Sequence, residues 1–178
     1  MESKLDYKIV IEENGSVVYS ANLSYNNLSY LVSNYGDTGE NNDFFSLVAR
    51  HSSAAVRQSV ASKDSLSEEV FNVLVDDSSV SVLRSLVSAE PFKEYATDEI
   101  IERLVKIDVQ IAVAIAEQWD SFKQANPTRT CAMLMQLSDP SVLEALARSD
   151  RLPKKLLKQL LNHPDPAVVE TARSSLSG

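Results

Sequence analysis

The residues with the widest chemical range are two histidines, one cysteine and several acidic pairs. His51 and His163 could ligate a metal or move protons near neutral pH. Cys131 could be a nucleophile if its thiolate were stabilised. Glu68-Glu69, Asp76-Asp77 and Asp98-Glu99 could share general acid–base work. Their settings point to structural duties instead. Cys131 lies in the apolar stretch Thr130-Cys131-Ala132-Met133-Leu134, where a free cysteine packs as a small hydrophobe. Glu68-Glu69 and Asp98-Glu99 fall at helix starts, where negative charge is favourable, and Asp76-Asp77 falls in a turn. No Walker-type loop, Gly-x-Ser-x-Gly, Gly-x-Gly-x-x-Gly or His-Glu-x-x-His occurs. No catalytic residue, metal or cofactor is assigned.

Charge is the second source of candidates. The chain carries a formal net charge of −8, which argues against a general electrostatic grip on nucleic acid or an anionic membrane. Residues 148–178 reverse the sign, with 6 bases and 3 acids. Arg148, Arg151, Lys154, Lys155 and Lys158 form a basic cluster, a solvated face or a docking patch for an acidic partner. It lacks the interleaved aromatics that single-stranded nucleic acid would stack on. A single cysteine rules out an internal disulfide, Met1–Asp6 has no apolar signal core, and no apolar run is long enough for a bilayer; a cytoplasmic protein is expected.

The elements that must position these residues follow from a repeat. Ser138-Asp139-Pro140-Ser141-Val142 returns 26 residues later as Pro164-Asp165-Pro166-Ala167-Val168. Periods of this size mark helical arrays. Walking upstream, Val168, Val142, Ala112, Val82 and Val56 form one register, and Ala172, Leu146, Ala116, Leu86 and Val60 a second. A third reads Leu66, Phe92, Phe122 and Leu152, with four extra residues inserted after Phe92 and again after Phe122. Apolar positions four apart predict second helices at about 54–62, 80–89, 109–118, 140–149 and 166–176, with first helices at about 43–50, 67–76, 97–107, 128–137 and 153–163. Ser53, Ser79, Asp139 and Asp165 stand at cap positions, Asp108 replaces them in the third unit, and Ser65 with Glu68 has capping-box spacing. His51 and His163 each end a first helix and lie four units apart, so a shared metal is not expected. Trp119 is core filler or a binding anchor; Phe122 keeps the third register and is expected in the core.

Asp-Pro-x-Val within leucine-rich helix pairs, clearest in Leu160-Leu161-Asn162-His163-Pro164-Asp165-Pro166-Ala167-Val168-Val169, resembles HEAT repeats and their relatives, including the bacterial leucine-rich repeat variant. The resemblance covers about residues 43–178. The basic residue that commonly follows the valine in such families appears only as Arg57, and the equivalent positions are Leu83, Val113, Leu143 and Val169. The resemblance implies a curved, non-catalytic protein-binding surface; some relatives bind or repair DNA, and others are lyases or accessory factors acting on modified proteins.

Residues 1–35 differ. Tyr7, Ile9 and Ile11 alternate with Lys8, Val10 and Glu12, and Val17, Tyr19 and Ala21 follow Asn14-Gly15 on one face, a hairpin pattern. Its apolar face is expected to pack on a helix at about 24–34 carrying Leu28, Leu31, Val32 and Tyr35. The segment is read as a cap on the array, or else as a partner-binding edge or dimerisation hairpin. Residues 36–42 are expected to be a polar, flexible connection, and 43–178 the array.

The expected fold is therefore mainly α: an α-solenoid of about five HEAT-like pairs behind an N-terminal hairpin and helix. The expected function is a non-enzymatic scaffold or adaptor for another protein. Candidate contacts are Arg57, Arg84, Glu144 and Glu170 on second helices, and Arg151, Lys154, Lys155 and Lys158 in the basic cluster.

Overall fold

On either side of Asn14-Gly15 the alternating runs form an antiparallel hairpin, β1 (Lys8–Glu13) and β2 (Ser16–Asn22), in a computed structural model that describes residues 7–177. The readings of Met1–Asp6 and of Gly178 lie outside those residues. Asn14 and Gly15 take φ of 52° and 78°, the two positive values that a type I′ turn needs. The pairing shifts between Ile11 and Glu12. Ile9 faces Ala21 and Ile11 faces Tyr19, but the extra residue Val18 sets Val17 opposite Glu12. The single face expected for Val17, Tyr19 and Ala21 is therefore split.

Twelve α-helices follow among the described residues. The chain divides into two units, Met1–Ala89 and Glu90–Gly178. The first holds α1 (Tyr25–Asn34), α2 (Asn42–Val48), α3 (Ala54–Ala61), α4 (Glu68–Leu74) and α5 (Val80–Val87), with a 3-10 turn at Gly39–Asn41. The second holds α6 (Glu90–Tyr95), α7 (Asp98–Leu104), α8 (Val109–Glu117), α9 (Pro127–Leu137), α10 (Pro140–Ala147), α11 (Lys154–Leu160) and α12 (Pro166–Ser177). All the periodic helices form, the shorter first helices ending two or three residues early where carbonyls close tighter turns, as in the Asp77 N–H to Leu74 bond. Every residue of the three registers, from Val56 through Phe122 to Ala172, is buried.

In the first unit α1 packs on α3 and α3 on α5; in the second α8 packs on α10 and α10 on α12. Leu28 and Val32 of α1 are buried four residues apart, like Val56 and Val60 of α3. The hairpin does not cover them, contrary to the packing expected from the sequence: among the described residues neither strand packs on a helix, and both strands are exposed. Among the described residues the hairpin is tied at its base, where the Tyr7 hydroxyl donates to the Leu47 carbonyl and the Tyr7 ring lies 5.5 Å from that of His51.

Several local expectations are corrected. The cap of α4 is Ser67, which accepts the Val70 N–H; Ser65 instead donates its hydroxyl to the Asp37 carbonyl. Ser53 and Ser79 make no side-chain cap bond, whereas Asp108, Asp139 and Asp165 do accept first-turn N–H groups. Residues 36–42 form a stitched clasp. The Asp37 carboxylate accepts the Asp64 and Ser65 N–H groups at 2.8 and 2.9 Å, and Asn42 both accepts the Ser67 N–H and donates to the Ser65 carbonyl. The side chains that looked solvated are used to hold α1's end to the α3–α4 turn. The first four-residue insertion lengthens the segment carrying Phe92 into α6, which the periodicity did not show. The second meets it: the Lys123 N–H donates to the Lys93 carbonyl, and Thr97 bridges Gln124.

Candidate functional site

Turns between first and second helices use one device three times. His51 Nδ1 accepts the Ser53 N–H at 2.9 Å, Asp77 Oδ1 accepts the Ser79 N–H at 2.8 Å, and His163 Nδ1 accepts the Asp165 N–H at 3.1 Å. These three residues occupy one register position, and each accepts from the residue two further along. Both histidines thus offer Nδ1 as the acceptor. Burial lowers the His51 pKa and the Arg57 charge lowers it further. Cys131 is buried, and burial pushes its thiol up, away from the nucleophilic thiolate. No group of three or more His, Cys, Asp or Glu that could hold a metal occurs among the described residues.

At the same register position the third and fourth repeats carry Ile107 and Leu137. With no polar side chain to close the turn, these residues line a shallow groove of about 210 Å³ with Lys106, Val109 and Val142. Asp108 and Asp139 take over the helix starts there.

Arg57 is an internal strut. Its guanidinium forms a bidentate pair with Asp77, Nε to Oδ2 at 2.5 Å and an NH2 nitrogen to Oδ1 at 2.9 Å, and also donates to the His51 and Ser52 carbonyls. Burial raises the Asp77 pKa, but the Arg57 bonds and charge and the Ser79 N–H outweigh it, holding the carboxyl below its ordinary value. The pair joins α3 to the turn before α5, and these donors face protein acceptors rather than an open surface.

Lys63 is a polar interior residue that sequence reasoning missed. It is buried, and its ammonium donates to the Ser33 and Tyr35 carbonyls at 3.0 and 2.8 Å, closing the C-terminal end of α1, with the Phe45 ring 5.8 Å away. The periodicity did contain a signal. Its equivalents are Ala89, Trp119, Ser149 and Ser175, all buried or half-buried. Trp119 is core, and its indole N–H donates to Ser149 at 3.1 Å. Phe122 packs edge-to-face on Phe92, ring centres 5.5 Å apart.

The remaining candidates separate into paired and unpaired groups. Glu144 holds Arg148 at 2.9 Å, Glu170 holds Arg173 at 2.8 Å, and Arg151 holds Asp120 at 2.8 Å. Lys154, Lys155 and Lys158 are exposed on α11, with no salt bridge among the described residues, while Leu157 and Leu160 are buried beneath them. The first unit holds Arg57 and Arg84, the second the other six.

Compared with protein-family models, curated proteins and solved structures, the chain matches none of them.

Arg84 lies in the larger concavity. A groove of about 750 Å³ runs along the outward sides of α3 and α5, lined by Gln58, Ser62, Ser81, Arg84, Ser85 and Ser88, with Asp64, Val80 and Ala89 at its edges. It exists because Val56, Val60, Val82 and Leu86 draw the two helices together on the buried side. Small serines opposite them leave room that longer side chains would fill. Hydroxyls, an amide and one guanidinium there can bind carbonyls and carboxylates. No helix among the described residues is long and apolar enough to cross a membrane.

Proposed function

We propose that the chain is a non-catalytic, protein-binding α-solenoid of HEAT-like helix pairs that takes an extended partner segment on the outward side of its second helices. The groove along α3 and α5 carries this reading. Its hydroxyls suit the backbone carbonyls of an extended chain, and Arg84 suits an acidic side chain on it. Repeats that bury both registers of each second helix free its opposite side for recognition, as helical arrays do. The net charge of −8 disfavours nucleic acid as the ligand.

The test is affinity capture on the full chain, comparing wild type with Arg84→Glu and Ser85→Arg, which change the groove without touching the buried registers. A partner lost from both variants, and retained by Glu170→Lys on α12, supports the groove. Identical capture by wild type and both groove variants overturns it.

A further inference from the structure

The hairpin carries an inference independent of the helical groove. Ile9, Val10, Ile11, Val17, Val18 and Tyr19 are between 43% and 59% exposed, a dense apolar set for two strands. A lone two-stranded hairpin is marginal in water, and no helix among the described residues packs on these strands. Its two edges differ. β2 is interrupted by the extra residue Val18, a feature that twists an edge away from pairing, whereas β1 is regular and, among the described residues, unpaired on its outer side.

Hydrogen-bond parity limits what can pair with β1. The Leu23 N–H donates to the Tyr7 carbonyl, and Tyr7, Ile9 and Ile11 therefore turn their backbone groups toward β2. Lys8, Val10 and Glu12 turn theirs outward. A second β1 must meet these outward groups, which permits twofold axes at Ile9, Val10 or Ile11. An axis at Ile9 sets Lys8 against Val10. An axis at Ile11 sets Val10 against Glu12 and Ile9 against Glu13. An axis at Val10 sets Lys8 against Glu12 at both ends, Ile9 against Ile11 twice, and Val10 against itself. That register alone pairs opposite charges and apolar residues together.

We propose that two copies of this chain associate through β1, antiparallel about a twofold axis at Val10, to make a four-stranded sheet. About six backbone hydrogen bonds join the copies, two in each of three outward pairs. Ile9 and Ile11 of both copies, flanked by Tyr19 and Ala21, build one continuous apolar face. The contact is isologous, so it closes at two copies.

Sedimentation of the full chain over about a hundredfold concentration range tests this. Mass should rise from 19.6 kDa toward twice that. Val10→Pro removes only an outward N–H and should abolish the dimer, while dispersed amide shifts for Ile9, Ile11 and Ala21 show the hairpin intact. Lys8→Glu and Glu12→Lys should each weaken association about tenfold through like-charge pairs, and an equimolar mixture of the two should restore it as a heterodimer. Three results overturn the proposal: a wild-type chain that stays monomeric throughout, a Val10→Pro chain with an intact hairpin that still dimerises, or charge variants that associate alone as well as wild type.

Discussion

In the first unit, neighbouring layers are joined by polar stitches: Lys63 on the end of α1, Asp37 and Asn42 on the α3–α4 turn, and the Arg57–Asp77 pair between α3 and the turn before α5. In the second unit, Phe92 packs on Phe122, Trp119 reaches Ser149, and the ion pairs of Arg129 with Asp98 and Glu102 and of Arg151 with Asp120 lie at the surface. Both units use the same register and bury the same positions. What varies is the residue at the joint. Buried polar joints are directional, and their strength depends on protonation; aromatic joints depend on shape and area. Exposed ion pairs add little to either.

The largest contrast should come from shape. Phe92→Ala leaves a void where Phe122 packed and should cost about 4 kcal/mol, measured by chemical denaturation. An effect below about 1 kcal/mol would mean the second unit is not held by its aromatics. Asp77→Ala strips a mostly buried guanidinium of its carboxylate and should cost about 3 kcal/mol, with hydrogen exchange rising at Ser79 and in α3 while the second unit is unchanged.

Acid should reveal the same division. The His51 pKa is lowered in the folded chain, so the stability from its neutral ring is fully present above its ordinary 6.5 and is lost as pH falls through the lowered value. Asp77 is also lowered, and its contribution is present above its ordinary 3.8 and lost as pH falls through its folded value. Amides of α3 and of the turns around Ser53 and Ser79 should therefore lose protection below pH 6.5 before those around Trp119 and Phe122. Uniform loss across both units would dissolve the contrast.

The smallest effect is a gain. The Thr130 hydroxyl is buried in α9 with no hydrogen-bond partner among the described residues. Thr130→Val keeps the shape and removes the unsatisfied group, and thermal denaturation should show a stabilisation of about 1 kcal/mol. A loss of similar size would show that the hydroxyl is satisfied in solution, and that the second unit too relies on a polar joint.

The residues explain how much of this was legible. The registers Val56 to Val168, Val60 to Ala172 and Leu66 to Leu152 located the helices, because each position is buried by the same contact in every repeat. Asp108 was readable as a cap because it stands beside the first helical residue. Lys63 was missed because a lysine after a helix looks solvated until the carbonyls of α1 arrive above it. Asp37 and Asn42 looked like a flexible linker because their partners are more than 20 residues away in sequence. Of the eight nominated contact residues, Arg57 proved to be a strut for the same reason: its partner Asp77 belongs to the next repeat. The groove at Arg84 could not be read from spacing, since it depends on small serines on two different helices facing one space.

The amino-acid order alone determined the helix pairs, the places of their insertions and the hairpin turn. These follow from periodicity, proline and cap positions, and the positive φ of Asn14-Gly15, all of which act over a few residues. Only the tertiary structure decided that α1 packs on α3 instead of under the hairpin, that β1 keeps an open edge, and which charged residues are struts and which face solvent. Those outcomes depend on which distant groups come within hydrogen-bonding or packing distance, and local sequence does not encode that distance.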